Sequence, residues 1–405
     1  MKNICLITTK YLTENEGKWL TNELADSFAD GSFQVTVIAF SWLANDPATS
    51  VNQCNNIKEI RIKLPSFFYK KNKIITLLKI IAFPLCGILY ALKHVEECDL
   101  LIANTPCTTT TILPLFFKLY FKSKTFLIIW DFFPFYLKDL SVLKSRLSFN
   151  TLKKLEAYLF NSYDRVSCMT EANKIFLIEN YNFKNFNKIV DLPIWSKILP
   201  AATADSFIYL DKYPIRRDSL LAVYGGAMTV VQELDNLLNL AESALSLNIH
   251  FLLIGGGSDR DRLEEKSKRM NLKNVTFMNQ VSREEYNKIL SHADIGLIFL
   301  SHKLSVPSFP SKSLDYFRSS LPILAGVDGF TDFKQILEQK AKAGYAFISN
   351  DKKSLCDALQ SMIEDNELRV DLGRNGRMFY EEHFNVDVVR DKILKSFPFR
   401  GDQIV

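Results

Sequence analysis

Cysteine is scarce: seven residues, an odd number, with no CxxC spacing anywhere in the chain. That argues against a disulfide framework or a CxxC-type metal or redox site, and fits free, buried thiols in a reducing cytoplasm. Histidine is scarcer still, at five, with no metal-ligand spacing, and no GxSxG, HExxH or P-loop pattern occurs; the hydrolase, zinc-protease and P-loop classes drop out with them. Charge of one sign is also missing. A net +5 over 405 residues is too small to imply nucleic acid as a partner. The N-terminus, MKNICLITTKYL, lacks the apolar length of a signal peptide and reads as a first strand. What remains is a globular composition, 47% hydrophobic and 23% charged, at a length that suits two domains with separate cores.

One apolar run, IITLLKIIAFPLCGILYAL at 74–92, is nearly long enough to span a bilayer. Lys79 and Pro84 interrupt it, and a polar turn and a strand, LLIAN, follow it. That order predicts a buried or half-buried crossover helix rather than a span. Its flank carries Lys58, Arg61, Lys63, Lys70, Lys71, Lys73 and Lys79 among Phe67, Phe68 and Tyr69. Such a mixture suits peripheral contact with an anionic membrane, or is simply a solvated basic face.

Strand-like runs recur at 3–8, 34–40, 57–63, 99–104, 125–130, 164–169 and 188–193, with helical stretches between most of them. The irregular stretch 199–219 interrupts the alternation, which restarts at 220–225, 249–255, 274–279, 293–299, 322–326 and 344–349. Apolar strands separated by helices predict parallel sheets covered on both faces. The fold class expected is therefore α/β with two doubly wound, Rossmann-like domains. Residues 1–198 form the first, 199–219 a linker and 220–380 the second, while 381–405 pack back on the first. Ligands of such sheets sit beyond the carboxyl ends of the strands, which makes the space between two such domains the default site.

Four loops follow strands of the second half. In VYGGAMTVVQELDNLL, Gly225 and Gly226 end a strand before a helix, either as a close-approach site for phosphate or as a plain turn. In LLIGGGSDRDRLEE, three glycines precede Asp259 and Asp261. The two acids form either a DxD-like pair or first-turn acids after a Ser258 cap, and the cap is the better reading. In NVTFMNQVSREEYNKIL, Ser282 and Glu285 make a capping box, and Asn279 ends a strand where backbone groups can meet a base. In SVPSFPSKSLDYFRSS, Ser308 or Ser311 can cap a helix whose first turn holds Lys312, with Asp315 three residues on. A cation there is unfavourable by about 0.3–1 kcal/mol unless an anion binds it; the bland alternative is an exposed Lys312–Asp315 pair.

The order of these loops resembles the donor domain of GT-B glycosyltransferases, in particular the retaining family 4 group, over about 220–385. GGGSDRDRLEEKSKRMNLKNVTFMNQVSREEYNKILSHADIGLIFL is similar to that group's stretch from a glycine loop to an "ADI" strand. FPSKSLDYFRSSLPILAG is similar to its "PSK" segment, and LGRNGRMFYEEHF to its closing helix. Departures accompany the likeness. The usual pair of acids eight positions apart keeps Asp315 but has Pro307 at the first place, and the usual arginine and lysine fall at Ala227 and Gln232. A subgroup with glutamine there relies on the "PSK" lysine.

The resemblance implies transfer of a sugar from a nucleotide diphosphate sugar, with retention, to a glycan or lipid-linked glycan acceptor of bacterial surface polysaccharide. No cofactor or metal is required, and the work is done in the cytoplasm or on the membrane's inner face. It implies Lys312 as the main cation for the diphosphate. Donor-binding positions are Gly17, Gly225, Gly226, Gln232, Asn279, Ser311 and Asp315, with Asp315 on the ribose. In IIWDFFPFYLKDL, similar to a strand end of the subgroup, Asp131 is the candidate for meeting the acceptor hydroxyl; a strand-end cap is the alternative. Its aromatic neighbours Trp130, Phe132, Phe133, Phe135 and Tyr136 stack on sugar or lipid, or form core. A nucleotide-sugar epimerase and a non-catalytic glycan-binding scaffold are the competing readings.

Overall fold

The computed structural model describes residues 2–13, 18–70, 72–106, 112–139, 143–198, 215 and 218–397. Most of the stretch expected as a linker, 199–219, lies outside the described residues. The chain falls into two compact units, Met1–Lys197 with Val386–Val405, and Ile198–Asn385.

The first unit is built on eight strands: β1 (Asn3–Thr8), β2 (Gln34–Phe40), β3 (Ser50–Cys54), β4 (Ile57–Ile62), β5 (Leu100–Asn104), β6 (Lys124–Ile128), β7 (Arg165–Cys168) and β8 (Ile189–Asp191). They lie in the order β3-β4-β2-β1-β5-β6-β7-β8. β1, β2, β5 and β6 are almost wholly buried, so their side chains are apolar on both faces. β3 pairs antiparallel at the edge and is almost entirely exposed; its polar SVNQC has no apolar signature for sequence reasoning to find. β6 ends at Ile128, two residues earlier than expected, which places Trp130 and Asp131 in the loop beyond the strand.

Helices α1 (Leu20–Asp30), α2 (Lys73–His94), α3 (Ile112–Tyr120), α4 (Phe133–Asp139), α5 (Arg146–Ser162) and α6 (Glu171–Tyr181) connect the strands. α2 is a crossover helix between β4 and β5, with 33% of its apolar window buried. One row, Ile75, Lys79, Phe83, Gly87 and Ala91, faces the protein.

The second unit has six strands: β9 (Leu220–Gly225), β10 (Ile249–Ile254), β11 (Val275–Met278), β12 (Ile295–Phe299), β13 (Ile323–Val327) and β14 (Gly344–Ile348). All run parallel, in the order β11-β10-β9-β12-β13-β14. The reversal of direction on either side of β9 is the topological switch that places ligands at the strand ends. α7 (Asp235–Ser243), α8 (Arg260–Arg269), α9 (Arg283–Leu290), α10 (Ser313–Arg318), the short α11 (Phe333–Gln335), α12 (Lys352–Glu364) and α13 (Asn366–His383) complete it. Leu237, Leu238, Phe251, Leu253, Leu297 and Leu355 anchor its core.

The last helix, α14 (Val386–Lys395), belongs to the first unit. Val386, Val389 and Ile393 join the core built by Leu24, Phe28 and Trp195. Ser27 Oγ donates to Asp387 Oδ1 at 2.6 Å, and Arg390 Nη1 donates to the Ser27 carbonyl at 3.0 Å.

Candidate active site

The second unit gathers its candidate residues at the carboxyl ends of β9 and β12. Lys312, the residue before α10, turns back over β9. Its Nζ lies 4.5 Å from the ring centre of Tyr224 and donates to the Tyr224 hydroxyl at 3.3 Å. Tyr224 is fully buried and passes its own proton to the Ala227 carbonyl at 2.6 Å, which fixes the hydroxyl as acceptor toward the lysine. A cation over an aromatic face is a weakly favourable seat. It is not an ion pair: among the described residues no carboxylate lies within ion-pair distance of Lys312. The residue keeps partial exposure, but its ammonium end is packed among protein atoms, and that burial pushes its pKa down to about 8.

The bland Lys312–Asp315 pair is thus absent. Asp315 accepts from Arg283 instead, Nη1 to Oδ2 at 3.0 Å with a second, closer contact from Nη2 to Oδ1, while Arg318 lies at 3.4 Å. A sugar hydroxyl reaching Asp315 must compete with Arg283. Neither Ser308 nor Ser311 caps α10. Lys312 itself occupies the cap position without a side-chain cap bond, and Ser311 is exposed. Ser313 Oγ donates to the Pro310 carbonyl at 2.7 Å and tightens the turn in their place.

The glycine turn is closed by hydrogen bonds within the second unit. The Gly226 N–H donates to the Ile254 carbonyl at 2.9 Å, and the Gly225 N–H to the Tyr316 hydroxyl at 3.2 Å. Those amides are engaged within the protein rather than free for phosphate. The glycines serve by leaving space: a Cβ at Gly225 would sit 2.1 Å from the Tyr286 hydroxyl, and one at Gly226 would lie 3.4 Å from Lys312 Cε. Gln232 points its amide oxygen inward, accepting from Thr229 N at 3.2 Å and Thr229 Oγ1 at 2.7 Å. Asn279 is exposed just past β11.

The three-glycine loop packs on this turn. Met228 N donates to the Gly256 carbonyl at 2.9 Å and Asp259 N to the Met228 carbonyl at 3.0 Å. Asp259, not Ser258, is the cap residue of α8, without a side-chain cap bond. Its carboxylate accepts from Arg262, which also reaches Asp235. That ion network holds Asp235 well below the ordinary carboxylate range and engages Asp259, while Asp261 stands as an acid in the first turn of α8. The Ser282–Glu285 capping box is present, with bonds of 3.2 and 3.0 Å.

Sequence reasoning passed over Tyr224 and Glu233. Glu233 has φ of 44° and accepts from Ser301 Oγ and His302 Nδ1 at 2.9 Å each, with Lys303 at 3.0 Å. It ties the β9 loop to the loop that leads to Lys312. The two loops are some 70 residues apart in sequence, and no local pattern marks the contact.

In the first unit, Asp131 is exposed in the loop after β6. Thr105 Oγ1 accepts from Trp130 N at 3.1 Å and Asp131 N at 3.2 Å, leaving the carboxylate uninvolved in holding the loop. Below it, Glu156 is buried, bonded by the Tyr181 hydroxyl and the Phe133 N–H, with its pKa raised to about 7 by burial. Phe132 and Phe135 stack with Phe176 and Tyr181 as core, not as a ligand platform. Gly17 lies outside the described residues.

The family model for glycosyl transferases group 1 matches residues 206–379. That match covers most of the second unit and less than half of the chain. Curated relatives match parts of the chain: the O-antigen chain mannosyltransferase C of Escherichia coli is 26% identical over 176 residues, 43% of this chain and 45% of its own length. The UDP-glycosyltransferase TURAN of Arabidopsis thaliana is 35% identical over 77 residues, 19% of this chain and 16% of its own. The chain thus spans less than half the length of these relatives. Among solved structures, sucrose-phosphate synthase from Thermosynechococcus elongatus superposes with a TM-score of 0.75, covering 98% of both chains at 18% identity. That likeness establishes the fold. The two units are the two Rossmann-like domains of a GT-B architecture, and Lys312, Gly225, Gly226 and Asp315 all lie within the stretch that the family model matches.

Proposed function

We propose that the protein is a glycosyltransferase that moves a sugar from a nucleotide diphosphate sugar to a hydroxyl of a glycan or lipid-linked glycan. The reading takes retention of configuration, in the manner of family 4 enzymes with a "PSK" lysine, and places the work in bacterial surface polysaccharide assembly. The observation that carries it is Lys312: a cation seated over Tyr224 with a lowered pKa and, among the described residues, no anionic partner, inside the stretch similar to group 1 glycosyl transferases. The diphosphate of the donor is the anion that suits it. As the bond from the anomeric carbon to the phosphate oxygen breaks, charge accumulates on the departing diphosphate, where a preorganised ammonium lowers the barrier. The acceptor oxygen bonds the anomeric carbon from the same face, and its proton passes to the departing phosphate oxygen. No protein base is then required, and Asp131 serves to orient the acceptor hydroxyl. No step calls for a metal or another cofactor.

The test is a thermal-shift panel of UDP, GDP, TDP, CDP and ADP. One nucleotide, near 100 times its dissociation constant, should add about 2.7 kcal/mol of stability, and its sugar conjugate should be turned over. A flat response to all five overturns the assignment.

A pH dependence follows from Lys312. Bound diphosphate restores the lysine's pKa upward, so binding above pH 8 requires proton uptake. Affinity should be flat below pH 8 with respect to this group, then weaken by up to about tenfold per pH unit toward the ordinary value of 10.5. Stability of the ligand-free protein should move oppositely. Between 8 and 10.5 the unfolded chain binds more protons at this site, so this group's contribution rises with pH. Isothermal titration and melting curves across that range check both signs.

A further inference from the structure

α2 combines a seat on the protein with an uncovered apolar flank. Phe83 packs against Phe40 at 5.0 Å, and Gly87 brings the helix against Leu113 of α3. On the opposite side Ile74, Leu77, Ile81, Leu85, Leu89 and Leu92 are exposed, Ile74 by 69% and Leu89 by 66%. Neighbouring α3 adds Leu119, 82% exposed, and Tyr120. A contiguous row of this kind is far more than the scattered surface leucines of ordinary proteins.

The two segments that carry the face are free of acids, although Glu96 and Glu97 are exposed just beyond the end of α2 and Lys118 of α3 pairs with Asp164. Residues 60–95 and 100–130 contain no aspartate or glutamate, while lysines recur through both. Of the basic residues expected to touch a membrane, the side chains of Lys71 and Lys73 lie outside the described residues and four of the other five are engaged with the protein. Lys79 is buried over the rings of Tyr69 and Trp42, at 4.1 and 4.5 Å, and Arg61 is buried against Glu59. Lys58 and Lys63 donate to backbone carbonyls of His94 and Ala44. Lys70 and Lys93 remain exposed near the two ends of the apolar row.

We propose that the outer face of α2, with the adjoining edge of α3, inserts into an anionic lipid bilayer, with the helix lying in the plane of the interface. An in-plane position follows from topology. α2 links β4 to β5, strands of one sheet, and one of its sides is packed on protein, so it cannot thread the bilayer without leaving the sheet. A face about 33 Å long, apolar toward lipid and rimmed by cations, has the chemistry of an interfacial helix. The β6 loop with Asp131 opens at the same end of the sheet as the start of α2, which would bring an interface-held acceptor to that end. The membrane face stands on its own observations and does not depend on the sugar-transfer reading.

The experiment is flotation of the full chain with vesicles of phosphatidylethanolamine and phosphatidylglycerol. The wild type should float, and part of that binding should persist at 1 M salt, because screening at about 3 Å leaves apolar insertion intact. The double variant Leu85→Glu, Leu89→Glu should partition roughly 100-fold less, from the loss of two leucines' transfer energy. Both positions are solvent-exposed, so its nucleotide-induced thermal shift should equal that of wild type. A Leu85→Trp variant should show blue-shifted emission on adding vesicles. Wild type that stays unbound, a double variant that floats like wild type, or a self-associated wild type whose dimer alone is lost in the double variant would each overturn the proposal. A failed nucleotide panel with normal flotation would remove the transferase reading and leave the membrane face standing.

Discussion

Lys312→Ala should lower turnover roughly 100- to 1,000-fold, the loss typical of one preorganised donor to a developing anion, and leave the ligand-free protein at least as heat-stable as wild type. The second half separates a binding cation from a structural one. A lysine in a structural ion pair stabilises the fold, and its removal lowers the melting point without touching nucleotide affinity. Lys312 has no carboxylate partner among the described residues, sits beside the first turn of α10, and carries a pKa of about 8 because its charge is poorly accommodated. Removing it relieves the ligand-free state. The nucleotide-induced thermal shift should vanish in the same variant, since the diphosphate loses its principal counter-charge. Lys312→Arg should not restore activity: the seat over Tyr224 fits a point ammonium, and a planar guanidinium cannot occupy it with the same geometry. Asp131→Asn should cost far less, because it keeps shape and hydrogen bonding where no proton transfer is assigned. Steady-state kinetics of the three variants beside their melting curves decide the matter. A Lys312→Ala enzyme with near-normal turnover would end the donor assignment.

The strands were legible because parallel strands buried on both faces must be continuously apolar, and β1, β2, β9 and β10 are so in the sequence itself. β3 was not, since an exposed edge strand carries no such pattern. Lys312 was visible through its setting in the "PSK" segment, whereas its seat on Tyr224 joins residues 88 positions apart and leaves no local trace. The glycine turn left two readings open for a physical reason. A glycine is needed wherever backbone comes close, and the sequence does not say whether the approaching group is a phosphate, a tyrosine ring or another loop. α2 was ambiguous for a related reason: hydropathy reports that a helix avoids water and is silent on what covers it. Asp315 read as a ribose ligand or a partner of Lys312, because Arg283 reaches it from another helix, across 32 residues, and leaves no local trace.

Gly255→Ala and Gly257→Ala should each destabilise the second unit by about 3 kcal/mol or more, while Gly256→Ala between them should stay within about 0.5 kcal/mol of wild type. Gly255 and Gly257 have φ of 139° and 153°, values that side chains rarely adopt. A Cβ on Gly255 would lie 2.0 Å from the Gly226 carbonyl oxygen, and one on Gly257 would lie 2.2 Å from that of Met228. Both obstacles are backbone, held by the Gly226–Ile254 and Met228–Gly256 hydrogen bonds, so neither can rotate away as a side chain would. A Cβ on Gly256 meets nothing within 4 Å. Chemical denaturation of the three variants measures the contrast, and nucleotide affinity gives it a second edge. Had the loop been a phosphate cradle, Gly256, the one glycine with open space above it, would be the position where a methyl group displaces the ligand. In the packing account Gly256→Ala binds nucleotide normally. The flanking variants lose affinity along with stability, because the loop they push against, Gly225–Met228, is the floor on which Lys312 rests.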